Sequence, residues 1–181
     1  VGSEMCIRDR FITKLGSLVN IVTDSKNALS SYDLTSYYTD GLSDILADLG
    51  IQTEIIDNPI KNAPPFLIGK RIESSELKTI LLYGHGDTVP LQKDLWNEGI
   101  NPRELKIVDE KIYGRGVADN KGQHLINLLA LLSVLKTRKK LGFNIKIIFE
   151  MGEEVGSPGL FELCGQYKDY LKSDVLIASD G

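Results

Sequence analysis

His85 and Asp87 stand two residues apart in the stretch Gly-His-Gly-Asp-Thr-Val-Pro, residues 84–90. Imidazole is the commonest protein ligand for a metal ion, and a carboxylate beside it orients the ring or tunes a bound water. In an extended chain residues i and i+2 project to the same side, so both groups can face one pocket. Gly84 and Gly86 remove bulk and let the backbone bend around a bound group. Three further clusters have the same chemical character: Asp119, the adjacent pair Glu153 and Glu154, and Asp180. Taken singly, each has an ordinary use. A His–Asp pair can satisfy itself in a loop, and Asp119 can cap the helix that follows it. Glu153–Glu154 suits a solvated acidic turn, and Asp180 before glycine suits a turn.

The elements that must position these residues can be read from periodicity. Ile80–Tyr83 is a short apolar run, long enough for a strand buried on both faces and ending at the His85 motif. Asn144–Glu150 is a second such strand leading to Glu153–Glu154, and Val175–Ala178 a third leading to Asp180. Lys121 to Lys140 follows Asp119 as a helix, with Leu125, Leu128, Leu129, Leu132 and Leu135 as its buried stripe and a cationic end that suits the dipole. Upstream, a helix is expected from Phe11 to Val19 and another from Asp33 to Leu49, closed by Gly50. Residues 23–31 read as a polar loop between them. Strands are expected over Ile51–Ile56 and Phe66–Ile72, and Lys106–Val108 with Lys111–Tyr113 as a small hairpin about Asp109–Glu110. Ser157–Pro158 fits an N-cap with proline at the first position of a helix running to Tyr170. Residues 1–10 lack an initial methionine and clear periodicity and resemble sequencing-adaptor read-through, so the domain is expected over 11–181.

Alternating strands and helices predict an α/β fold, a mostly parallel mixed sheet with helices on both faces. Three of the four clusters then fall just past strand ends and the fourth at a helix start, positions that converge on one sheet edge. Carboxylates gathered there would repel unless cations neutralise them. One histidine with several Asp and Glu suits zinc or a similar divalent ion, and two ions ~3.5–4 Å apart make a hydrolytic centre.

The chain has 181 residues, 42% of them hydrophobic and 25% charged, which describes an ordinary globular domain with a core. A net charge of −4 offers no electrostatic footprint for nucleic acid or an anionic membrane. Leu125–Leu135, the longest nearly apolar run, is shorter than the ~20 residues that span a bilayer. Two cysteines, Cys6 and Cys164, are too few for a disulfide framework and suit a reducing, cytoplasmic setting.

The segments 84–90, 114–122 (Gly-Arg-Gly-Val-Ala-Asp-Asn-Lys-Gly), 151–157 (Met-Gly-Glu-Glu-Val-Gly-Ser) and 179–181 (Ser-Asp-Gly) resemble, in order, the motifs of a co-catalytic di-zinc peptidase family. That family includes aminoacylase, carnosine-type dipeptidases, glutamate carboxypeptidase, acetylornithine deacetylase and succinyl-diaminopimelate desuccinylase. The resemblance runs from about Phe11 to the last residue, and the four motifs together are far more specific than any one. It implies that His85 and Asp180 bind one zinc, that Asp119 bridges two, and that Glu154 binds the second, with cobalt or manganese as substitutes. Asp87 would orient His85, and Glu153 would be the general base that takes a proton from the attacking water and passes it to the leaving amine. A cis peptide at Asp119–Asn120 is implied as well.

Two features of the family are not found in this stretch. One is a lid or dimerisation domain, through which a homodimer would form; the other is a later histidine for the second metal. The chain thus reads as the N-terminal part of the catalytic domain, expected to hold at most one zinc tightly and to be inactive alone. His124, the other histidine, reads as a surface or packing residue, and Arg115 and Lys121 as structural ion partners. The forms Ala-Asp-Asn-Lys-Gly-Gln (118–123) and Met-Gly-Glu-Glu-Val-Gly-Ser-Pro-Gly (151–159) lean toward a dipeptidase acting on small peptides. The alternatives are an N-acyl amino acid deacylase and, in another class, a non-catalytic metal-binding protein on the same fold. Retention of Glu153 speaks against the last.

Overall fold

The structure, a computed structural model, describes residues 6–26 and 31–180. The first helix, α1 (Ile7–Asn20), begins four residues before Phe11. Cys6 Sγ accepts the Asp9 N–H at its start, and the Arg10 guanidinium lies 2.7 Å from Asp48, so this turn is tied down although its residues carry no apolar stripe. Part of the expected loop over 23–31 lies outside the described residues.

The helix expected over 33–49 is a helical run in three parts: α2 (Ser31–Ser36), a π-helical turn (Tyr37–Leu42) and α3 (Ser43–Asp48). Tyr37 and Tyr38, neighbours in the widened turn, are both buried. Gly50, at φ 64°, closes the run as the sequence predicts.

Five strands form the central sheet: β1 (Gln52–Ile56), β2 (Phe66–Arg71), β3 (Thr79–His85), β6 (Asn144–Glu150) and β7 (Val175–Ala178). Their spatial order is β1-β2-β6-β3-β7. β2 is antiparallel to both its neighbours while β6, β3 and β7 are mutually parallel, so four strands run one way and one opposes them. In sequence between β3 and β6 comes a separate hairpin of β4 (Lys106–Val108) and β5 (Lys111–Tyr113). Its turn residues Asp109 and Glu110 both have positive φ, the geometry that matches strand twist.

Helix α4 (Lys121–Arg138) buries Leu125, Leu128, Leu129 and Leu132 on one sheet face with α1 and α3. On the other face, α5 (Leu160–Gln166) and α6 (Lys168–Leu171) bring Leu163 and Leu171 against Ile68 and Ile148. Helices therefore cover both faces, as expected. Two local readings are corrected. Ser157–Pro158 does not start a helix: Ser157 has φ 50°, Gly159 at φ 84° precedes α5, and the helix breaks at Tyr167. Ile80, Leu81 and Tyr83 are only half-buried, Leu82 fully, since β3 borders the thinly covered β7. No helix among the described residues is long and apolar enough to cross a membrane.

Candidate metal centre

The parallel register sets the ends of three strands side by side. His85 is the last residue of β3 and pairs with Glu150, the last of β6. Asp180 lies two residues beyond β7, and Asp119 two residues before α4. Glu153 and Glu154 open a 3-10 turn just past β6. All six residues singled out from the sequence thus sit on one edge of the sheet.

They do not all converge equally. One ligand atom each from His85, Asp119 and Asp180 lies within 4.8 Å of the others. His85 Nε2 is 2.9 Å from Asp119 Oδ1 and 3.7 Å from Asp180 Oδ1. Glu153 Oε2 stands at the margin, 3.9 Å from the same nitrogen. Glu154 is set aside from this group, its Oε1 accepting the Val89 N–H, yet close enough that the Asp119 charge acts on it.

Asp87 is fully buried and does more than sit behind His85. Its Oδ1 lies 3.2 Å from His85 Nδ1, and its backbone oxygen 3.1 Å from the same atom. Its two carboxylate oxygens also accept the N–H groups of Glu153 and Glu154. One carboxylate therefore locks the imidazole to the acidic turn. Because Nδ1 faces only acceptors it carries the ring proton, and in the neutral ring Nε2 is left as a bare lone pair. That Nε2 is buried and, among the described residues, makes no well-formed hydrogen bond, although the Asp119 and Asp180 carboxylates face it. A buried polar atom without a partner is costly unless something binds it. Two carboxylates and an orphaned imidazole nitrogen are a donor set that fits a divalent cation, with the carboxylates free to take its charge.

Until a cation displaces the proton, the surrounding carboxylates favour the imidazolium form of His85. Burial works against the imidazolium of His85, but Asp87, then Asp119 and Asp180, outweigh it and raise the group to about 9. Burial, with Asp180, Asp87 and Asp119 adding to it against His85, pushes the Glu153 carboxyl up. Glu154 is raised by burial and by Asp119. The cluster holds more negative charge than His85 can balance.

Two glycines in the motif have a purpose other than the one their position suggested. A Cβ on Gly86 would collide with the Tyr37 ring, and one on Gly84 would lie 2.9 Å from His124 Cβ and 3.1 Å from Asn120 Oδ1. They make room for core side chains behind the site, not for a ligand in front of it. The loop is further held by the segment after α1, through Thr23 Oγ1 to the Gly86 oxygen and the Thr88 N–H to the Thr23 oxygen.

Other readings are refined. Asp119 does not cap α4; Asn120 precedes the helix, and the Asp119–Asn120 peptide is cis, as the resemblance implies. Lys121 is buried and donates to the oxygens of Leu18 and Ile21, tying α1 to α4, with no ion pair among the described residues. Arg115 stacks over Trp96, its guanidinium carbon 5.3 Å from the ring centre, and likewise has no such ion pair. His124 is buried, a packing residue and not a surface one. Asn120 escaped the sequence reading as a site residue, although it lay within a quoted motif. Its amide meets His85 N, His124, Ser179 and Asp180, contacts that no spacing encodes.

The scaffold and site define a class: an α/β sheet that presents an imidazole–carboxylate cluster able to hold a metal at the ends of its parallel strands. The chain belongs to the peptidase family M20/M25/M40, whose pattern matches residues 81–179. It is 34% identical over 187 residues to the Beta-Ala-His dipeptidase of Mus musculus, covering 96% of the chain and 37% of that protein. It is 30% identical over 190 residues to the Cys-Gly metallodipeptidase of Candida albicans, covering 96% and 38%. The crystal structure of human carnosine dipeptidase 1 superposes with a TM-score of 0.87 at 31% identity, across 96% of this chain and 39% of that one. The chain spans less than two-fifths of the length of these relatives.

Proposed function

We propose that the protein hydrolyses the amide bond of a dipeptide or similar small peptide in a zinc-dependent reaction, and that this chain supplies its first metal site and its general base. The observation that carries the reading is the orphaned His85 Nε2, turned by Asp87 toward Asp119 and Asp180. His85, Asp119 and Asp180 would hold one ion, and Asp119 with Glu154 would contribute to a second. Zinc, when bound, supplies Lewis acidity toward the scissile carbonyl and lowers the pKa of water. Glu153 would take the proton of the attacking water and deliver it to the leaving amine, a role supported by its position at the margin of the cluster and its raised pKa. Asp87 keeps the proton on His85 Nδ1 and fixes the turn that carries Glu153. The dipeptidase names of the relatives favour peptides over N-acyl amino acids. The two free cysteines, Cys6 and Cys164, support a reducing compartment such as the cytoplasm.

The test is Glu153→Gln in the complete protein, assayed on a panel of dipeptides and N-acyl amino acids with zinc content measured in parallel. A general base contributes ~10²–10⁴-fold, so kcat on the preferred dipeptide should fall on that scale while bound zinc is retained. Unchanged turnover removes Glu153 from the reaction. Preference for N-acyl amino acids selects the deacylase reading, and zinc without turnover on either class selects the non-catalytic one.

A further inference from the structure

Behind the metal cluster lies a chain of hydrogen bonds that the reaction described above does not use. Tyr37, in the π-helical turn, is fully buried, and its hydroxyl lies 2.6 Å from His124 Nε2. His124, in the first turn of α4, is also buried, with Nδ1 3.0 Å from Asn120 Oδ1. Its ring is boxed in by the Tyr37 ring at 5.9 Å and the Phe149 ring at 5.1 Å, while Gly84 leaves no room for a side chain beneath it. The imidazole therefore has one position available to it.

The direction of every bond in this chain follows from donor and acceptor chemistry. Asn120 Oδ1 accepts the backbone N–H of His85, the cluster imidazole, at 3.2 Å. Asn120 Nδ2 faces only acceptors: Gln123 Oε1, the Ser179 oxygen and Asp180 Oδ1 at 3.3 Å. The amide is thus fixed with its oxygen toward His85 and His124. An amide oxygen cannot donate, so His124 Nδ1 carries the proton. In a neutral ring Nε2 is then a lone pair, and the Tyr37 hydroxyl donates to it. Burial, with the nearby His85 and Lys121 charges, holds His124 neutral by lowering it to about 3.

We infer that His124 is a positioning residue for the metal centre, acting through Asn120. The proton direction runs from Tyr37 to His124 to Asn120 and ends on Asp180, while the same amide oxygen holds the backbone of His85. Those two residues come from different strands, and Asn120 is the group that bonds both. His124 Nδ1–H is the second donor that keeps the Asn120 amide from rotating about its terminal bond. Without it, the oxygen keeps only the His85 N–H, and the aim of Nδ2 at Asp180 rests on that bond and on its bonds to Gln123 and Ser179. Groups hydrogen-bonded to a metal ligand, as Asn120 is to Asp180, typically govern metal affinity by ~10–100-fold, and His124 stands one bond further back.

This inference rests on the metal reading of the cluster, and the experiment separates the two. Zinc affinity is measured by competition with a chromophoric chelator for the unmodified chain, His124→Phe and His124→Asn. Metal-free thermal unfolding of each is recorded alongside. Phenylalanine keeps a ring of similar shape but has no donor. Asparagine places its amide N–H near the position of Nδ1 and loses the bond to Tyr37. A weakening of about 10-fold in His124→Phe, the lower end of that range, with His124→Asn within about 3-fold of the unmodified chain, is expected. Equal weakening in both variants assigns the effect to packing and overturns the inference, as does unchanged affinity in His124→Phe. Failure of the unmodified chain to bind zinc overturns the metal reading itself. If His124→Phe does not fold, ¹⁵N NMR of the His124 ring in the unmodified chain decides. A protonated Nδ1 with a bare Nε2 supports the relay, and the opposite tautomer overturns it.

Discussion

The two ends of the central sheet use the same kinds of side chain to opposite effect. At the end where β3, β6 and β7 begin, Asn144 is buried, and its oxygen accepts the N–H groups of Glu73 and Ser74. Its nitrogen donates to the oxygens of Ser74 and Leu77. Glu73 in turn accepts from Leu141, Gly142 and Arg71, and Asp174 from Thr79 and Lys78. Each of these groups finds its partners within the chain. At the end where the same strands finish, Asn120 is as fully engaged, but the groups it holds are not. Among the described residues His85 Nε2 has no well-formed hydrogen bond, and the Asp119 carboxylate it faces is 61% exposed. Saturated polar groups close a sheet edge as structure; groups held firmly but left unsaturated are set out for a ligand.

The comparison can be broken in order of effect. Asp119→Ala should weaken zinc binding most, on the order of 1,000-fold, exceeding the ~10–100-fold typical of a supporting partner. Since Asp119 is largely exposed, unfolding of the metal-free chain should hardly change. Asn144→Ala should show the reverse pattern. It removes the partner of the Glu73 and Ser74 N–H groups and of the Ser74 and Leu77 oxygens, which are half-buried or exposed, and should lower stability by about 1–3 kcal/mol in denaturant titrations, with zinc affinity unchanged. A zinc defect in Asn144→Ala would mean that the two edges are not independent.

Smaller still is the effect of Glu73→Gln, read as a function of pH. The N–H of Leu141, then that of Gly142 and the Arg71 guanidinium, hold the Glu73 carboxyl below its usual range against the effect of burial. A carboxyl depressed in the folded state contributes stability above its unfolded pKa, and that contribution is lost as pH falls through the folded value. The variant should therefore lose less stability than the unmodified chain on acidification from pH 5 downward, after starting from a slightly lower value at neutral pH. Parallel acid limbs would show that the Glu73 charge is not what binds this edge.

What the sequence reveals and what it hides divides along physical lines. Periodicity exposes β3, β6 and α4 through the apolar patterns they bury, and β7 through an apolar run that stays exposed, and their ends locate His85, Asp119, Glu153, Glu154 and Asp180. The parallel register then does the rest, since strands that end together bring their following residues together. The start of α1 is not legible, because Ile7 is exposed and the turn is held by Cys6 and by the Arg10–Asp48 pair. Ser157–Pro158 misleads, because the serine hydroxyl is taken by Glu150 and the chain turns left-handed at Gly159 before the helix starts. Tyr37 and His124 are 87 positions apart, and nothing in either segment announces that they meet. The glycines of the His85 motif were legible as glycines, but what they make room for depends on which helices pack behind them.

The central claim is that the unsaturated edge binds a divalent metal through His85. Isothermal titration of the chain with zinc, beside His85→Ala, tests it most directly. One tight site in the unmodified chain, lost in His85→Ala, is the predicted result. No zinc binding, or equal binding by the two chains, would contradict it.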